Sequence, residues 1–324
     1  CIDGARATGL VDPDVRADAY TELTSRMQQE LGAIFYVSRA DAKQALMTGF
    51  YGSKAKPEEI FGKDTAAYKA FYKAGQEMAP GAFELLQDLL DSWQDYALLH
   101  EWKLPDGYDA RVKVMQKESC RLEVDELDHA SFTYEYYINQ GEKNGLSNVA
   151  NVVHSVDAFV LREMVRRCNY DYQQVKYLDH CIETELLERN VYGERKDLKP
   201  LKGEHHYYIE QAMRSGMASA VILDHLNSET IKDVPTELLH QLKSITATMQ
   251  EYKPFPVITI HDSFAAHANN VNWVRHWYKE LLAELADSDI LSDILSQLHG
   301  TAGTYPKLTN NLSQYIRNSN YALS

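Results

Sequence analysis

An ionisable pair, His261-Asp262, directly follows a short apolar stretch near the end of the sequence. The stretch from Val257 to Ile260 is rich in β-branched residues and predicts a buried strand, and residues 263–265 predict a returning strand. Desolvating a carboxylate at the tip of a buried hairpin costs several kcal/mol. The same carboxylate can hold a divalent cation rigidly against a substrate phosphate. Asp262 is therefore a candidate metal ligand; the alternative is coincidence, because two-residue motifs recur by chance.

A second set of candidate residues recurs every four positions within residues 38–54. The set comprises Arg39, Lys43, Met47 and Tyr51, and we call it the 39–51 stripe. On a helix, each step of four turns about 40° and rises about 6 Å, so these side chains form a slowly wrapping stripe roughly 18 Å long.

The residues that flank the 39–51 stripe favour a helix with defined ends. Ser38 can cap the first turn, and Gly52 stands where a helix commonly ends in a left-handed residue. Two cations and a phenol along one face suit a triphosphate that lies along the helix, with the cations on the phosphates and the ring near the base or sugar. The alternative is a solvated basic edge with an aromatic side chain beside it.

Composition and charge limit the possible classes of function. The chain has 324 residues, 44% of them hydrophobic and 25% charged, which is typical of a soluble globular protein with one large or two ordinary domains. The sequence contains neither a run of about 18 apolar residues nor a signal peptide, so we expect no contact with a membrane. The net charge of −14 speaks against nucleic-acid binding unless a local basic patch overrides it.

The four cysteines are Cys1, Cys120, Cys168 and Cys181, and none of them forms a C-x-x-C pair. Their scattering favours reduced thiols in a cytoplasm-like compartment and argues against a structural zinc site. Because the sequence begins with Cys rather than Met, we expect that further residues precede it.

Hydrophobic spacing predicts the helices of the first hundred residues. Val15, Ala19, Leu23 and Met27 stand at helical spacing, and Gly32 would close that helix. Residues 57–100 continue as helices. They include a broad apolar stripe that comprises Leu86, Leu89, Leu90, Trp93 and Ala97.

The sequence pattern changes between residues 103 and 140. Pro105-Asp106-Gly107 predicts a turn, and residues 121–124 and 132–136 alternate like strands. A helix is then predicted from His154 to about residue 168. Near the end of the sequence, an amphipathic helix would carry Val274, Trp277, Leu281 and Leu285.

Two of these segments resemble the sequence motifs of a known family. Arg39-x-x-x-Lys43-x-x-x-Met47-Thr48-x-x-Tyr51-Gly52-Ser53 resembles motif B of the bacteriophage-type single-subunit RNA polymerases, and His261-Asp262-Ser263-Phe264 resembles their motif C. Related DNA polymerases usually have Phe in place of Met47 and Glu in place of Ser263. Both differences favour RNA synthesis. Ala265 replaces the Gly that usually follows motif C.

Four shorter segments resemble the same family in the same order. Gly4-Ala5-Arg6-Ala7 with Pro13 is similar to the segment just after motif A, and Trp102 with Pro105-Asp106-Gly107-Tyr108 is similar to a fingers segment. Asn151-Val152-Val153-His154-Ser155-x-Asp157 resembles the segment whose His contacts the minor groove of the template–primer. Ser319-Asn320-Tyr321-Ala322-Leu323-Ser324 resembles the C-terminal foot of the family.

The resemblance implies DNA-templated RNA synthesis by nucleotidyl transfer through two Mg²⁺ ions, which lie about 3.5–4 Å apart and are bridged by two aspartates. Asp262 would be one bridging ligand. Lys43 would stabilise the triphosphate and could donate a proton to pyrophosphate, Arg39 would grip phosphates, and Tyr51 would sense the 2′-OH side of the incoming ribonucleoside triphosphate.

The resemblance also implies further contacts with substrate and nucleic acid. Met47 and Gly52 complete the substrate-binding set on motif B. His154 and His261 would contact the DNA template and the RNA product.

The family pattern is incomplete in this sequence. Motif A, which carries the other metal-binding Asp, is absent, and so are the N-terminal domain and the upstream Arg motif of the palm. The pair Asp3-Gly4 resembles the Asp-Gly of motif A, but the Ser and the Gly-Gln that follow it in the family are missing here. We therefore expect Asp3 to lie in a loop. The resemblance therefore implies a heteromer, in which a second polypeptide supplies motif A and the N-terminal domain. The chain is most similar to the catalytic C-terminal subunit of a split phage polymerase, active in the cytoplasm of an infected bacterium.

The expected fold is α+β and helix-rich: a polymerase right hand, with fingers and part of the palm, and a small antiparallel palm sheet. The fingers, with a palm-connecting helix, would span residues 1–154, and a palm helix would span 155–168. A helical insert would occupy 169–245. The palm, with its motif C hairpin and C-terminal foot, would span 246–324.

The insert has no counterpart in the resemblance, and we interpret it as a surface interaction module. Residues 207–226 predict a strong helix. Although His205 and His206 are adjacent, neighbouring side chains diverge on a helix, so no metal site is expected there.

Two alternative functions differ in their chemistry. One is DNA synthesis by a polymerase of the same superfamily. The other is a non-catalytic palm–fingers protein that binds nucleic acid or a polymerase and has lost motif A.

Overall fold

Most described residues lie in helices, and the strands pair only as separate antiparallel hairpins. The structure is a computed structural model that describes residues 1–33, 35–194, 203–260 and 263–322. The predicted α+β class, helix-rich with small antiparallel sheets, is confirmed.

The described N-terminal part contains six helices, and the first five contribute to a hydrophobic cluster around Phe71, which is fully buried with Leu23 and Met27. Alanines on the facing helices, such as Ala45 and Ala70, are also buried and allow the helices to approach closely. These helices are α1 (Ile2–Ala7), α2 (Ala19–Leu31), α3 (Arg39–Phe50), α4 (Ala55–Phe61), α5 (Ala66–Met78) and α6 (Pro80–Asp91).

The start of this region corrects two sequence-based predictions. The expected helix does not include Val15, which is 56% exposed, because Asp18 caps α2 by accepting a hydrogen bond from the backbone N–H of Tyr20 at 3.1 Å. The predicted closure at Gly32 is confirmed by its φ of 59°. Asp3 lies in the first turn of α1 rather than in a loop, where an acidic side chain is favourable because the helix dipole is positive there.

Two hairpins follow α6. The strands β1 (Leu99–Lys103) and β2 (Asp109–Lys113) pair across the predicted turn at residues 105–107. The strands β3 (Met115–Val124) and β4 (Ala130–Gly141) confirm the predicted strands at residues 121–124 and 132–136, and they pair along most of their length. Trp102 anchors the first hairpin to the core by donating a hydrogen bond from Nε1 to Oγ of Ser155 at 3.0 Å.

The long helix α7 (Ser147–Cys168) connects the two halves of the chain. The helix begins seven residues before His154, which corrects the predicted start. Its first turn is fixed by buried residues: Val149 is in the core, and Asn148 donates a hydrogen bond to Ser92 Oγ at 3.1 Å. The predicted end at Cys168 is confirmed.

The described residues of the insert contain α8 (Tyr172–Tyr192), α9 (Glu204–Ser215), two short 3-10 helices (Ala220–His225 and Thr230–Asp233) and the start of α10 (Thr236–Met249). The predicted helix over residues 207–226 is too long, because Gly216 adopts a left-handed φ of 67° and ends α9. The insert is not a peripheral layer. Its buried residues, among them Leu178 and Leu239, share one hydrophobic cluster with α7 and the C-terminal helices.

The C-terminal part comprises the hairpin β5 (Ile258–Ile260) and β6 (Ser263–Ala265), followed by α11 (Val271–Asp287), α12 (Ile290–His299) and α13 (Leu312–Asn318). On α11, Val274, Trp277 and Leu281 are buried as predicted. The expectation that the hairpin is buried is wrong.

The hairpin is exposed because only one of its faces packs against the body. Phe264 lies against Tyr278 of α11, with ring centroids 5.8 Å apart. On the other face, Ile258 and Ile260 are 63% and 62% exposed, since no further strand or helix of the described chain covers them.

Charged residues at the end of α7 hold the second half of the chain together. Glu163 and Arg167 are fully buried. Arg167 donates two hydrogen bonds to Glu284 of α11, at 2.8 and 2.7 Å. Glu163 accepts hydrogen bonds from the Ser219 hydroxyl and from the backbone N–H of Ala220. Burial alone would lower the pKa of Arg167, but the carboxylates of Glu284 and Glu163 raise it, so the guanidinium stays charged.

We expect Glu163→Gln to lower the free energy of unfolding by about 3–5 kcal/mol, because it removes the buried carboxylate that accepts charged hydrogen bonds from Arg166 and Arg167. Urea denaturation followed by circular dichroism measures the change. The matched control is Glu59→Gln, which removes the exposed ion pair with Lys56 (2.7 Å) and should cost at most about 1 kcal/mol. Equal midpoints for the two variants would contradict the importance of the buried pair.

Candidate functional site

The helix α3 presents the 39–51 stripe to solvent. Ser38 caps the helix by accepting a hydrogen bond from the backbone N–H of Asp41 at 3.1 Å, as predicted. The opposite face is buried through Ala42, Ala45, Leu46 and Gly49. Burial of that small apolar face leaves the side chains of the stripe on the accessible face.

The two cations of the stripe lie over one aromatic ring. The Cζ of Arg39 is 5.3 Å and the Nζ of Lys43 is 5.6 Å from the ring centroid of Tyr20 on α2. Both cations are exposed, and the ring stabilises them by cation–π attraction. Met47 continues the exposed face, with 44% of its surface accessible. Three residues of the stripe are therefore open to a ligand from solvent.

Asp18 is a further residue of this site that the sequence analysis missed. Its Oδ2 lies 2.6 Å from Nε of Arg39. The hydrogen bond from Arg39 is the main reason that the pKa of Asp18 falls to about 2, and the same bond raises the pKa of Arg39. Asp18 could be recognised from the sequence as the N-cap of α2, but its distance of 21 residues from Arg39 gives no local signal of the ion pair.

The structure brings Tyr51 and His154 together. The Tyr51 hydroxyl and Nε2 of His154 are 3.2 Å apart, and the ring centroids are 5.2 Å apart in an edge-to-face arrangement. Tyr51 is half-buried at the end of α3, whereas His154 is exposed on α7. A hydroxyl and an imidazole thus form one hydrogen-bonding pair at the junction of the two helices.

Gly52 permits the chain to turn away directly after Tyr51. Its φ of 83° is a left-handed conformation that L side chains rarely adopt, and its N–H donates to the carbonyl of Gly49 at 2.9 Å. A Cβ at this position would lie 3.4 Å from a methyl group of Leu90. Gly52 therefore has a structural role at the end of the stripe, beside the substrate contact that the resemblance implies.

His261 and Asp262 lie outside the described residues. The strands on either side of them are described: Ile260 pairs with Ser263, and Ile258 pairs with Ala265, in an antiparallel register. The predicted returning strand is thereby confirmed. The metal-binding role of Asp262 and the nucleic-acid contact of His261 stay predictions.

The 39–51 stripe and the β5–β6 hairpin belong to different hydrophobic clusters. The helix α7 lies between them: His154 near its start meets Tyr51, and Arg167 near its end binds Glu284 on the helix that follows the hairpin. The structure thus joins Tyr51 to His154 directly, and α7 connects this pair to the helix that follows the hairpin.

Other pairs of segments from the family resemblance also meet, as Trp102 does with Ser155. The turn that follows Trp102 contacts a later part of α7 as well. Asp106, in the turn between β1 and β2, accepts hydrogen bonds from Arg162 (2.6 Å) and Arg166 (2.9 Å) of α7. Burial alone would raise the pKa of Asp106, but these two arginines hold it below its usual range. Near the C-terminus, Asn320 donates from Nδ2 to the carbonyl of Pro13 at 2.9 Å.

We expect Asp18→Asn to strengthen binding of a nucleoside triphosphate to the 39–51 stripe by at most about fivefold. The reason is that Arg39 no longer has to leave its solvent-exposed ion pair with Asp18, and exposed ion pairs contribute little. Asn also caps helices well, so the stability of α2 should change little. Calorimetric titration with ATP measures the affinity.

The matched control is Glu22→Gln, which removes the neighbouring ion pair of α2 with Arg26 (2.7 Å) and should leave the affinity unchanged. If Asp18→Asn weakens binding as much as Arg39→Ala does, Asp18 orients Arg39 for the ligand instead of competing with it.

Comparison with known proteins gives no independent assignment. No protein family model matches the chain, and no curated protein matches it. Within the described residues, no helix combines the length and the apolar character needed to cross a bilayer. The polymerase interpretation is therefore carried by the quoted motifs and by the contacts among them.

Proposed function

We propose that this chain forms the fingers and the C-terminal palm of a phage-type DNA-directed RNA polymerase, and that it transfers ribonucleotides from triphosphates to a growing RNA. The observation that carries the proposal is the contact between the Tyr51 hydroxyl and His154 Nε2 at 3.2 Å. The two residues are 103 positions apart in the sequence, and each was selected from a separate motif.

The chemistry of this pair suits recognition of a ribose. A hydroxyl and an imidazole nitrogen can together donate and accept hydrogen bonds, and the 2′-OH of a ribonucleotide is both a donor and an acceptor. A site built to bind a substrate hydroxyl rejects the analogue that lacks it, because its own polar groups are then left unpaired. Tyr51 and His154 would in this way favour ribonucleotides.

The 39–51 stripe suits the triphosphate of the same substrate. From Tyr51, Lys43 is about 12 Å and Arg39 about 18 Å along the helix, on the same exposed face. Arg39 would bind phosphate oxygens in a bidentate manner, and Lys43 would act as a compact charge that can also donate a proton to the leaving pyrophosphate. Met47, between the cations and the phenol, would contact the apolar part of the substrate.

Asp262 would hold Mg²⁺ at the β5–β6 hairpin. When bound, the metal ions lower the barrier by activating the attacking 3′-hydroxyl and neutralising charge on the phosphate that is transferred. The other aspartate of a two-metal site would come from the polypeptide that supplies motif A. The apolar face of Ile258 and Ile260, more than 60% exposed at both residues, suits packing against that polypeptide, since unpaired apolar strands recruit other chains.

The two alternatives differ in their expected behaviour. A DNA polymerase of the same superfamily would use the same metal-binding residue but would prefer deoxynucleotides. A non-catalytic nucleic-acid-binding protein would bind DNA without using triphosphates, and its Asp262 would be dispensable.

We expect Asp262→Asn to abolish RNA synthesis by the chain reconstituted with the polypeptide that carries motif A, because an amide cannot replace a carboxylate that bridges two Mg²⁺ ions. DNA binding should stay near the wild-type level. The measurement is templated incorporation of labelled nucleotides, with DNA binding followed by fluorescence anisotropy. The matched control is Asp224→Asn, a change in the insert, away from the motifs. The chain alone should make no RNA.

Substantial synthesis by Asp262→Asn in Mg²⁺ would refute the metal-ligand assignment. Template-dependent synthesis by the wild-type chain alone would mean that another carboxylate of this chain completes the site.

We expect Tyr51→Phe to reduce the preference for ribonucleotides over deoxynucleotides by roughly tenfold, because one hydrogen bond to the substrate is lost and about 1.4 kcal/mol corresponds to a factor of ten. The ratio of kcat/KM for the two substrates measures this preference. Tyr36→Phe is the matched control, since Tyr36 is 82% exposed and lies outside the stripe. If the wild-type enzyme already prefers deoxynucleotides, the DNA-polymerase alternative is correct.

A further inference from the structure

Two adjacent histidines of the insert point towards the same carboxylate. The ring centroids of His205 and His206, in the first turn of α9, are 4.3 Å apart. A donor atom from each ring and an oxygen of Asp233 all lie within 4.8 Å of one another. The expectation that these neighbouring side chains diverge is therefore wrong. The first turn of a helix has fewer neighbouring turns to restrict its side chains, so the two rings can turn to one side.

The spacing of His205 and Asp233 fits two ligands of one metal ion better than it fits a hydrogen bond. Nε2 of His205 is 3.4 Å from Oδ2 of Asp233. Hydrogen bonds of this kind are most often about 2.9 Å long. Two ligand atoms that each lie about 2.0–2.1 Å from a tetrahedral zinc ion are about 3.3 Å apart.

His206 provides an independent observation. Its Nε2 is buried and has no hydrogen-bond partner in the structure. Buried polar atoms are nearly always paired, and an unpaired one commonly marks a place for a water or an ion. Since this nitrogen belongs to one of the three clustered residues, a bound cation would remove its desolvation penalty.

Gly203 fixes the orientation of the His205 ring. Its φ is 128°, and a Cβ at this position would lie 3.0 Å from both Nδ1 and Cε1 of His205. Glycine therefore leaves the space in which the ring lies. With the Nδ1 side of the ring against Gly203, the Nε2 atom is directed at Asp233.

We propose that His205, His206 and Asp233 form a zinc-binding site. Two imidazoles and one carboxylate are a common three-ligand set for Zn²⁺, with a fourth position left for water or another ligand. Imidazole nitrogens favour zinc and its transition-metal neighbours over Mg²⁺ or Ca²⁺, which prefer oxygen ligands. The scattered positions of the cysteines argue against a zinc site built from thiolates. They do not argue against this site, because it contains no cysteine.

The metal would connect two separate pieces of the insert. The histidines begin α9, whereas Asp233 ends the 3-10 helix Thr230–Asp233, which leads into α10. Because the ligands come from segments 28 residues apart, zinc would hold the start of α9 against the start of α10. This role is structural and independent of the proposed polymerase activity.

A second cluster of possible ligands provides an internal comparison. Glu123, Asp125 and His129, at the tip of the β3–β4 hairpin, are also close enough to share an ion. Their side chains are 59%, 81% and 73% exposed, and the His129 ring already contacts both carboxylates, at 2.9 and 3.2 Å. Such an arrangement is ordinary for a solvated ion pair, so we expect no tight zinc binding there.

The test is zinc titration of the complete, chelator-treated chain in competition with a chromophoric zinc indicator. We expect the wild-type protein to bind about one equivalent tightly. His206→Ala should weaken this binding by at least tenfold, since even the loss of a residue that only supports a metal ligand commonly costs 10–100-fold. Asp233→Asn is a second variant that keeps the shape of the side chain and its ability to accept a hydrogen bond. Circular dichroism confirms that both variants fold.

Two control variants define the alternatives. His240→Ala removes an exposed histidine of α10, and His129→Ala removes the hairpin cluster; both should retain the tight zinc equivalent. Zinc should also raise the melting temperature of the wild-type protein and of both controls, but not that of His206→Ala. The proposal is overturned if His129→Ala loses the tightly bound zinc ion, or if His206→Ala or Asp233→Asn keeps it. Weak zinc binding by the wild-type chain would also overturn it.

Discussion

The arrangement of the second half of the chain depends on the buried charges at the end of α7. Glu163 and Arg167 are removed from water, which is costly unless nearly all of their hydrogen-bonding capacity is used. Here it is used by groups from different segments: Glu284 of α11 binds Arg167, and Ser219 and Ala220 of the insert bind Glu163. The guanidinium also lies 5.0 Å from the centre of the Trp277 ring. Any displacement of these segments would break several charged hydrogen bonds together, so their positions on α7 are closely defined.

The buried ion pairs also affect the candidate site, because α7 is a single rigid helix that carries both Arg167 and His154. Its 22 residues span about 33 Å, and His154 precedes Arg167 on it by about 20 Å. When one end of the helix is held by buried ion pairs, the other end presents His154 to Tyr51 at a fixed distance. Positioning within a fraction of an ångström is what a substrate-binding pair requires. The polar core at one end of α7 thus contributes to the geometry at the other.

The features that could be predicted from the sequence are those that depend on neighbouring residues. The cap at Ser38, the helical spacing of the 39–51 stripe and the left-handed Gly52 are local, and the structure confirms them. The contacts of Tyr51 with His154 and of Arg39 with Asp18 depend on the packing of whole helices, so nothing in their spacing indicated them. Burial of the β5–β6 hairpin was predicted wrongly for a related reason. An apolar strand becomes buried only where another element covers it, and composition cannot specify that element.

The contrast between buried and exposed ion pairs also determines which cations can serve a substrate. Arg162, Arg166 and Arg167 follow His154 on α7, but each is bound to a carboxylate that is largely inaccessible, and releasing it would leave a buried charge unpaired. Arg39 is also paired, but its side chain is 55% exposed and that of Asp18 is 36% exposed, so water can replace either partner at little cost in free energy. A phosphate, which carries more charge than one carboxylate and accepts two hydrogen bonds from a guanidinium, can displace Asp18. In a chain with a net charge of −14, exchangeable cations such as Arg39 and Lys43 would make the exposed face of α3 suitable for the triphosphate of the proposed function.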